Sequence, residues 1–370
     1  MFRPPSSTFR GLCRRYYSSV KHRNFTVLAL ESSADDTCAA IVDSERRILS
    51  NVVIKQHDIH EAFGGIEPIS AIHGHQQNMP VAIRRALDEA SLDIVRDIDG
   101  IAFTRGPAGM PGCLSVGLNA AKGLAAALNK PLVGVNHMQA HALTALLTSP
   151  PSIGPQFPFL TLLISGGHTL LVLATSVRNF KILATSRDES IGRSFDKVSK
   201  LLRIKWTSLG PGHALEQFCA AEDGIDSEPL VPSPPFPRPL LGQLAFSYSG
   251  LHSHAKNTIA DLGGIERINT ATKRSIARGF QTAAISQLEE KLKLGLQWCQ
   301  MRNIMIKHLV VSGGVASNQY LRKRCNRHFD LISYPDNAVM IGWTSVYRFL
   351  ENDTDAYTIG LRSKWSLEEL

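Results

Sequence analysis

Phe25–Asp43 reads FTVLALESSADDTCAAIVD: an apolar strand, a small polar turn at Glu31–Thr37, and a second apolar strand. Phe159–Thr175, FLTLLISGGHTLLVLAT, repeats that design with its turn at Ser165–Thr169. Short apolar runs bounded by such turns are strand signals. The same hairpin at the head of each half of the chain predicts two structurally equivalent lobes. In both turns small or hydroxyl side chains leave backbone N–H groups free to approach an anion, and Gly166-Gly167 accept dihedrals that other residues resist. One such hairpin alone is an ordinary turn; its recurrence favours a shared phosphate cradle.

Between the hairpins lies Val133–Leu147, VGVNHMQAHALTALL. It reads as a buried strand that turns at Asn136 into an Ala/Leu-rich helix, so His137 and His141 project from one face of the first turn. Two imidazoles so spaced can grip one divalent cation, although the pattern also occurs at capped helix ends and polar core contacts. Far downstream, Asp336 in the turn Pro335-Asp336-Asn337 offers a third ligand. Borderline cations accept a His/His/Asp set and keep positions open for a substrate, and the set does not separate zinc from iron.

The remaining segments fill in two lobes. Gln76–Ala90 carries helical periodicity, Gly100–Arg105 is a short buried strand, and GPAGMPGCLSVG feeds a helix over Leu114–Leu128. That glycine-rich run has neither GxxxxGK[ST] nor GxGxxG spacing, which leaves P-loop and Rossmann readings without support; its small residues suit close helix packing. The Pro/Ser/Gly-rich stretch 148–158 marks the boundary between lobes. In the second half, Ile191–Leu202 is an amphipathic helix presenting Asp196 and Lys197, and Leu209–Glu216 is a glycine loop entering a helix. Thr270–Met301 is a long helix. The strand His308–Val311 leads into SGGVASN (Ser312–Asn318), which opens a helix bearing Arg322, Lys323, Arg324 and Arg327. Strand, glycine turn and helix start together suggest an anion site.

Composition bounds the class. The chain has 370 residues, 44% hydrophobic and 19% charged, enough for two lobes with full cores, and no apolar run reaches the roughly 18 residues that cross a bilayer. Residues 1–24 hold Arg3, Arg10, Arg14, Arg15, Lys21 and Arg23 with no acidic residue, as a mitochondrial presequence does. Without those six charges the formal balance falls from +8 to +2, so a uniformly basic surface is not available for nucleic acid. The six cysteines form no CxxC pair, against both a zinc ribbon and a disulfide framework.

Taken in order, ESSADDT (31–37), NHMQAH (136–141), LISGGHT (163–169), FDKVSKLL (195–202), FSYSGL (246–251), SGGVASN (312–318) and PDNAVMIGW (335–343) closely resemble the motifs of the tRNA threonylcarbamoyladenosine transferases, and the basic N-terminus matches their mitochondrial branch. The resemblance spans nearly all of residues 25–350. It implies an α/β, two-lobed actin-like fold with the active site in the inter-lobe cleft: a presequence at 1–24, lobes at 25–150 and 151–345, and a C-terminal segment at 346–370. It implies transfer of threonylcarbamoyl from threonylcarbamoyl-AMP to N6 of adenosine 37, beside the tRNA anticodon, by a homodimer in the mitochondrial matrix. By motif position, His137, His141 and Asp336 would hold one zinc or iron ion. Leu163, Ile164, Ser165, Gly166, Gly167, Asp196, Gly212, Glu216 and Asn318 would hold the adenylate or its acyl group. Three positions depart from the family pattern: Ala34 stands where a cysteine is usual, Arg193 where an acid is usual, and GPGHALE leaves Gly210 and Gly212 as alternative contacts.

The chemistry fits these residues. An acyl adenylate is already activated, so the site must orient a weakly nucleophilic amine, polarise the carbonyl and stabilise departing AMP. Asp35 and Asp36 are candidates for proton transfer or for water-mediated contact with the metal. A metalloprotease would need HExxH, but Met138 follows His137. An actin-like ATPase or kinase would share the nucleotide turns but not the histidine pair.

Overall fold

The first hairpin folds as β1 (Thr26–Glu31) and β2 (Thr37–Asp43), and β3 (Ile48–Ile54) pairs antiparallel to β2. β4 (Gly100–Gly106) and β5 (Leu132–Asn136) add in parallel on the other side, giving the order β3-β2-β1-β4-β5. The second hairpin repeats this strand for strand. β6 (Phe159–Ile164), β7 (Thr169–Ala174) and β8 (Phe180–Thr185) are antiparallel, and β9 (Leu309–Ser312) and β10 (Leu331–Ile332) lie parallel beside β6. The order is β8-β7-β6-β9-β10. These positions come from a computed structural model that describes residues 24–56, 60, 66–107, 109–150, 152, 154–205, 210–221, 235–325, 331–332 and 337–370. Asp336, Arg327 and the basic N-terminal stretch through residue 23 lie outside the described residues.

The described helices are α1 (Pro68–Ala90), α2 (Pro111–Ala127), α3 (His137–Thr148), α4 (Ile191–Leu201), α5 (Gly210–Ala220), α6 (Ser249–Asp261), α7 (Thr270–Gln300), α8 (Gln319–Cys325) and α9 (Ala338–Leu350). They cover both faces of both sheets, which is why the inner strands are continuous apolar runs rather than alternating ones. Period-two alternation sorts each strand between cores. Leu28 and Leu30 of β1 join α1 and α2, while Val27 and Ala29 join α3 and α9. In β6, Phe159 and Leu163 share that middle core, and Leu160, Leu162 and Ile164 face α4–α7. The layers therefore run α1/α2, sheet, α3/α9, sheet, α4–α7. Helix α3 is sandwiched between the sheets, and its lack of a polar stripe follows from that burial on all sides.

Some expected boundaries shift. The helix expected from Gln76 begins eight residues earlier at Pro68, capped by the Glu67 carboxylate, and continues through Pro80. The expected lobe boundary at 345 falls inside α9, whose residues pack on the first sheet and on α3. The chain beyond α9 stays with the first lobe. Asp355 bridges edge strand β5 at Leu132, and Arg348, paired with Asp353 and Asp355, donates to the Gly134 carbonyl. Covering that edge removes a row of unpaired backbone groups.

Candidate active site

Helix α3 starts where β5 ends because Asn136 caps it. The Asn136 Oδ1 accepts from the backbone N–H groups of Met138 and Gln139 at 3.0 and 3.1 Å, a contact type worth about 1 kcal/mol. Its Nδ2 donates to the Trp365 carbonyl at 3.1 Å, tying the helix start to the C-terminal segment. His137 and His141 are both buried, and their Nε2 atoms stand 3.2 Å apart with the rings edge to face. The other ring nitrogens are held from opposite sides. His137 Nδ1 lies 3.3 Å from Glu31 Oε2 at the end of β1, and His141 Nδ1 lies 3.1 Å from Ser312 Oγ at the end of β9. Glu31 in turn accepts from the Thr104 hydroxyl and the Ser33 backbone N–H.

This donor set fits a divalent cation. Neighbouring ligands at about 2.0–2.1 Å around a tetrahedral ion sit roughly 3.3 Å from each other, close to the observed separation of the two Nε2 atoms. Among the described residues no group of three or more His, Cys, Asp or Glu is arranged to hold a metal. The third expected ligand, Asp336, lies outside them. Beside the pair, His168 is driven down to about 4 by burial and, to a lesser degree, by His137 and His141, so it is neutral at physiological pH.

A second feature adjoins the first. Gly166, Gly192, Asp196, Gly212, Glu216 and Asn318 line a cavity of ≈ 210 Å³, together with Phe195, His213, Gly314, Val315 and Ser317. The turns at 165–169 and 312–318 thus meet here, one from each side of the β6–β9 pair. Gly313 has φ +101°, and a Cβ there would lie 2.4 Å from the Ile164 carbonyl oxygen, so only glycine lets the two turns touch. Asp196 is pushed up by burial, against which the Gly212 N–H at 2.9 Å and Lys200 act. Of the two alternative glycines, Gly212 lines the cavity and touches Asp196. Gly210, at φ +83°, begins α5 and has open space around it. Cavity size does not mark the site: a larger one of ≈ 490 Å³ lies along α7 under Phe236 and Arg278.

Other expected residues are placed differently. Leu163 and Ile164 are core side chains and do not line the cavity. Ser165 Oγ accepts from the N–H groups of Gly167 and His168, shaping the turn, and Gly167 is exposed. Asp35 and Asp36 are half-buried in the β1–β2 turn, where the charge of Asp35 acts on His75 and Cys113. The carboxylate on His137 is Glu31, which sequence reading passed over. The helix after SGGVASN is only seven residues long and its first N–H groups are already used: Gln319 N donates to Glu216 Oε1 at 2.5 Å and Leu321 N to Asn318 Oδ1 at 2.9 Å. Those two N–H groups are already satisfied within the chain, and the glycine turn before the helix is what faces the cavity. Several basic side chains are neutralised locally, with Lys197 paired to Glu189, Arg203 to Glu266, Arg324 to Glu289 and Arg84 to Asp88. Buried thiols are raised, Cys113 to about 11 and Cys219 to about 12, which suits a reaction without a cysteine nucleophile.

Comparison with known proteins places the arrangement. A family model described as TsaD, tRNA N6-adenosine threonylcarbamoyltransferase, matches residues 47–343. The chain is 37% identical to the mitochondrial tRNA N6-adenosine threonylcarbamoyltransferase of Schizosaccharomyces pombe over 95% of this chain and 89% of that protein. It is 37% identical to the tRNA N6-adenosine threonylcarbamoyltransferase of Bartonella tribocorum over 93% of this chain and 95% of that one. A probable mitochondrial member from Arabidopsis thaliana is 35% identical over 94% of this chain and 75% of its own length. Among solved structures, component A of the (R)-2-hydroxyglutaryl-CoA dehydratase of Acidaminococcus fermentans superposes with a TM-score of 0.50 at 14% identity, covering 88% of this chain and 98% of that one. That likeness, like the duplicated sheet order, shows the two-lobed actin-like fold.

Proposed function

This chain belongs to the tRNA N6-adenosine threonylcarbamoyltransferase family, and from that membership we propose that it moves threonylcarbamoyl from threonylcarbamoyl-AMP to N6 of adenosine 37 in mitochondrial tRNAs that read codons starting with A. It is a transferase acting on tRNA, and its relatives from yeast and plant carry the mitochondrial designation. The observation that carries the finer reading is the histidine pair, 3.2 Å between Nε2 atoms, set beside a cavity walled by the two glycine turns.

In this reading the AMP moiety occupies the cavity between the turns. Gly166 and Gly314 have open space at their Cα atoms, so backbone can approach the phosphate closely. Asp196 and Glu216 are the acceptors available to a ribose or an acyl amide, and Asn318, Gly212 and Ser165 fix the walls around them. His137 and His141, with Asp336, would hold the zinc or iron ion; when bound, such an ion supplies Lewis acidity to the acyl carbonyl and charge neutralisation to the threonyl carboxylate. The protein's own contribution is orientation: it holds the acyl carbon within reach of N6 and excludes competing water. Neutral His168 stands beside the pair as a hydrogen-bonding group for the acceptor amine. A homodimer is part of this reading, with the apolar residues that α1 leaves exposed, Ile69 and Val81, as its contact, and light scattering checks it.

The deciding experiment incubates the protein with synthetic threonylcarbamoyl-AMP and unmodified mitochondrial tRNA, and in parallel with ATP and a sugar. Nucleoside analysis should show threonylcarbamoyladenosine in the first arm. Phosphoryl transfer to the sugar with no modified adenosine would overturn the reading.

A further inference from the structure

The two imidazoles of the histidine pair are adjacent on one helix yet are held by different lobes. His137 Nδ1 is held by Glu31, at the end of the first strand of the first sheet, and His141 Nδ1 by Ser312, at the end of a strand of the second. Ser312 is also the first residue of the turn whose Gly314, Val315, Ser317 and Asn318 wall the adjoining cavity. We propose that Glu31 and Ser312 are positioning residues that set the imidazoles from opposite lobes, and that Ser312 couples the orientation of the His141 ring to occupancy of that cavity. The inference rests on the metal and adenylate reading given above.

The choice of side chains supports it. A consistent assignment of protons runs from the Ser312 hydroxyl to His141 Nδ1, from His141 Nε2–H to His137 Nε2, and from His137 Nδ1–H to Glu31 Oε2. A cation held by both Nε2 atoms would take the place of the proton between them and would leave the His141 N–H on Nδ1. Its partner must then accept instead of donate. A hydroxyl can do either, whereas a carboxylate only accepts. The carboxylate stands at His137, whose Nδ1 donates in both states, and the hydroxyl stands at His141, whose Nδ1 changes role. Glu31 is itself fixed by Thr104 and the Ser33 N–H, so it is a rigid acceptor. Ser312 sits instead against a turn that a ligand in the cavity would press on. Partners of this kind fix ring orientation and tune ligand strength, and losing one typically costs 10–100-fold in metal affinity.

The test uses the full chain with Co²⁺ as a spectroscopic probe of the histidines and AMP as the probe of the cavity. Co²⁺ affinity is titrated with and without saturating AMP for the wild type, Ser312→Ala, Ser312→Thr and Glu31→Gln, with thermal melts to confirm folding. Ser312→Ala should bind Co²⁺ about 10–100-fold more weakly. The factor by which AMP alters Co²⁺ affinity in the wild type should fall toward one in Ser312→Ala and return in Ser312→Thr. Glu31→Gln should weaken Co²⁺ while keeping the AMP factor. If Ser312→Ala keeps both wild-type affinity and the wild-type AMP factor, or the wild type shows no AMP factor, the inference fails. Threonylcarbamoyl transfer by the same wild-type preparation then shows whether the broader reading stands. Failure of the wild type to take up Co²⁺ would instead remove the metal reading, and this inference with it.

Discussion

The two lobes are built on one strand order but use their first turns differently. In the first lobe the start of the β1–β2 turn is held by close packing. Ser32 Oγ donates to the Cys113 carbonyl and accepts from Gly117 N–H, His75 reaches the Ala34 carbonyl at 3.1 Å, and Gly109 presses so close that a Cβ there would lie 2.0 Å from Ser33 O. In the second lobe the β6–β7 turn is packed on one side, where a Cβ on Gly192 would lie 2.6 Å from Ser165 O, but its tip is open, with Gly166 exposed and nothing within 4 Å of the place where its Cβ would stand. One copy of the hairpin has become a rigid mount for His137 through Glu31, and the other has become a wall that a ligand can approach. A duplicated fold supplies two similar turns, and the packing around each decides which holds a residue still and which stays accessible.

The largest effect should come from breaking the link between the halves at the histidines. His141→Ala, or His137→Ala, should lower transfer by at least ~100-fold and remove bound metal while the protein stays folded, since losing a ligand exceeds the 10–100-fold cost of losing its partner. Metal analysis of the folded variant alongside nucleoside assays checks this, and full metal occupancy in His141→Ala would sink the ligand assignment.

Paired glycine substitutions sharpen the contrast between the turns. Gly109→Ala meets both a φ of +86° and the Ser33 carbonyl, and should destabilise the protein by about 1–3 kcal/mol or more in denaturant melts. Gly166→Ala should stay within about 0.5 kcal/mol of the wild type. Its effect should be on the ligand: a methyl in the cavity wall should weaken binding of a non-hydrolysable adenylate analogue several-fold. Equal destabilisation by the two would mean that the second turn is packed like the first.

For tRNA, Lys200 and Lys205 stand on α4 and its exit outside the ion pairs that tie Lys197 to Glu189 and Arg203 to Glu266. Reversing Lys200 and Lys205 together should flatten the dependence of log affinity on log salt by about 1.4–1.8 if both contact phosphates. Affinity for the adenylate analogue should be nearly unchanged. An unaltered slope would move the tRNA path off this helix.

The smallest effect concerns the second lobe's supporting loop. Burial pushes the Asp188 carboxyl up, but hydrogen bonds from Ser247, Ser249, Tyr248 N–H and Glu189 N–H outweigh it and bring it down to about 2. A depressed carboxyl contributes stability that is present above its unfolded pKa near 3.9 and is lost as pH falls through about 2. Asp188→Asn should therefore lower stability at neutral pH and remove part of the steepening of the melt between about pH 4 and 2.

The strand–turn–strand repeat, the capped HxxxH helix and the order of seven motifs were legible in the sequence because each depends on neighbours a few positions away: period-two apolar runs, an Asn at a helix start, glycines in a turn. They were enough for the lobed fold and for His137, His141, Gly166, Asp196 and Asn318 as site candidates. What the tertiary structure decided is how distant segments meet. Glu31 lies 106 residues from His137, and Ser312 lies 171 from His141. Nothing local marks either as a histidine's partner, since a polar residue ending a buried strand reads as the start of a turn. The same holds for the α9 helix, which by sequence continues the second lobe but packs on the first sheet. It holds also for the basic surface, where the lysines and arginines were visible but their acidic partners were not. Local pattern fixes which side chains share a face of one element, whereas burial, charge pairing and the donor or acceptor role of a histidine depend on which elements pack together.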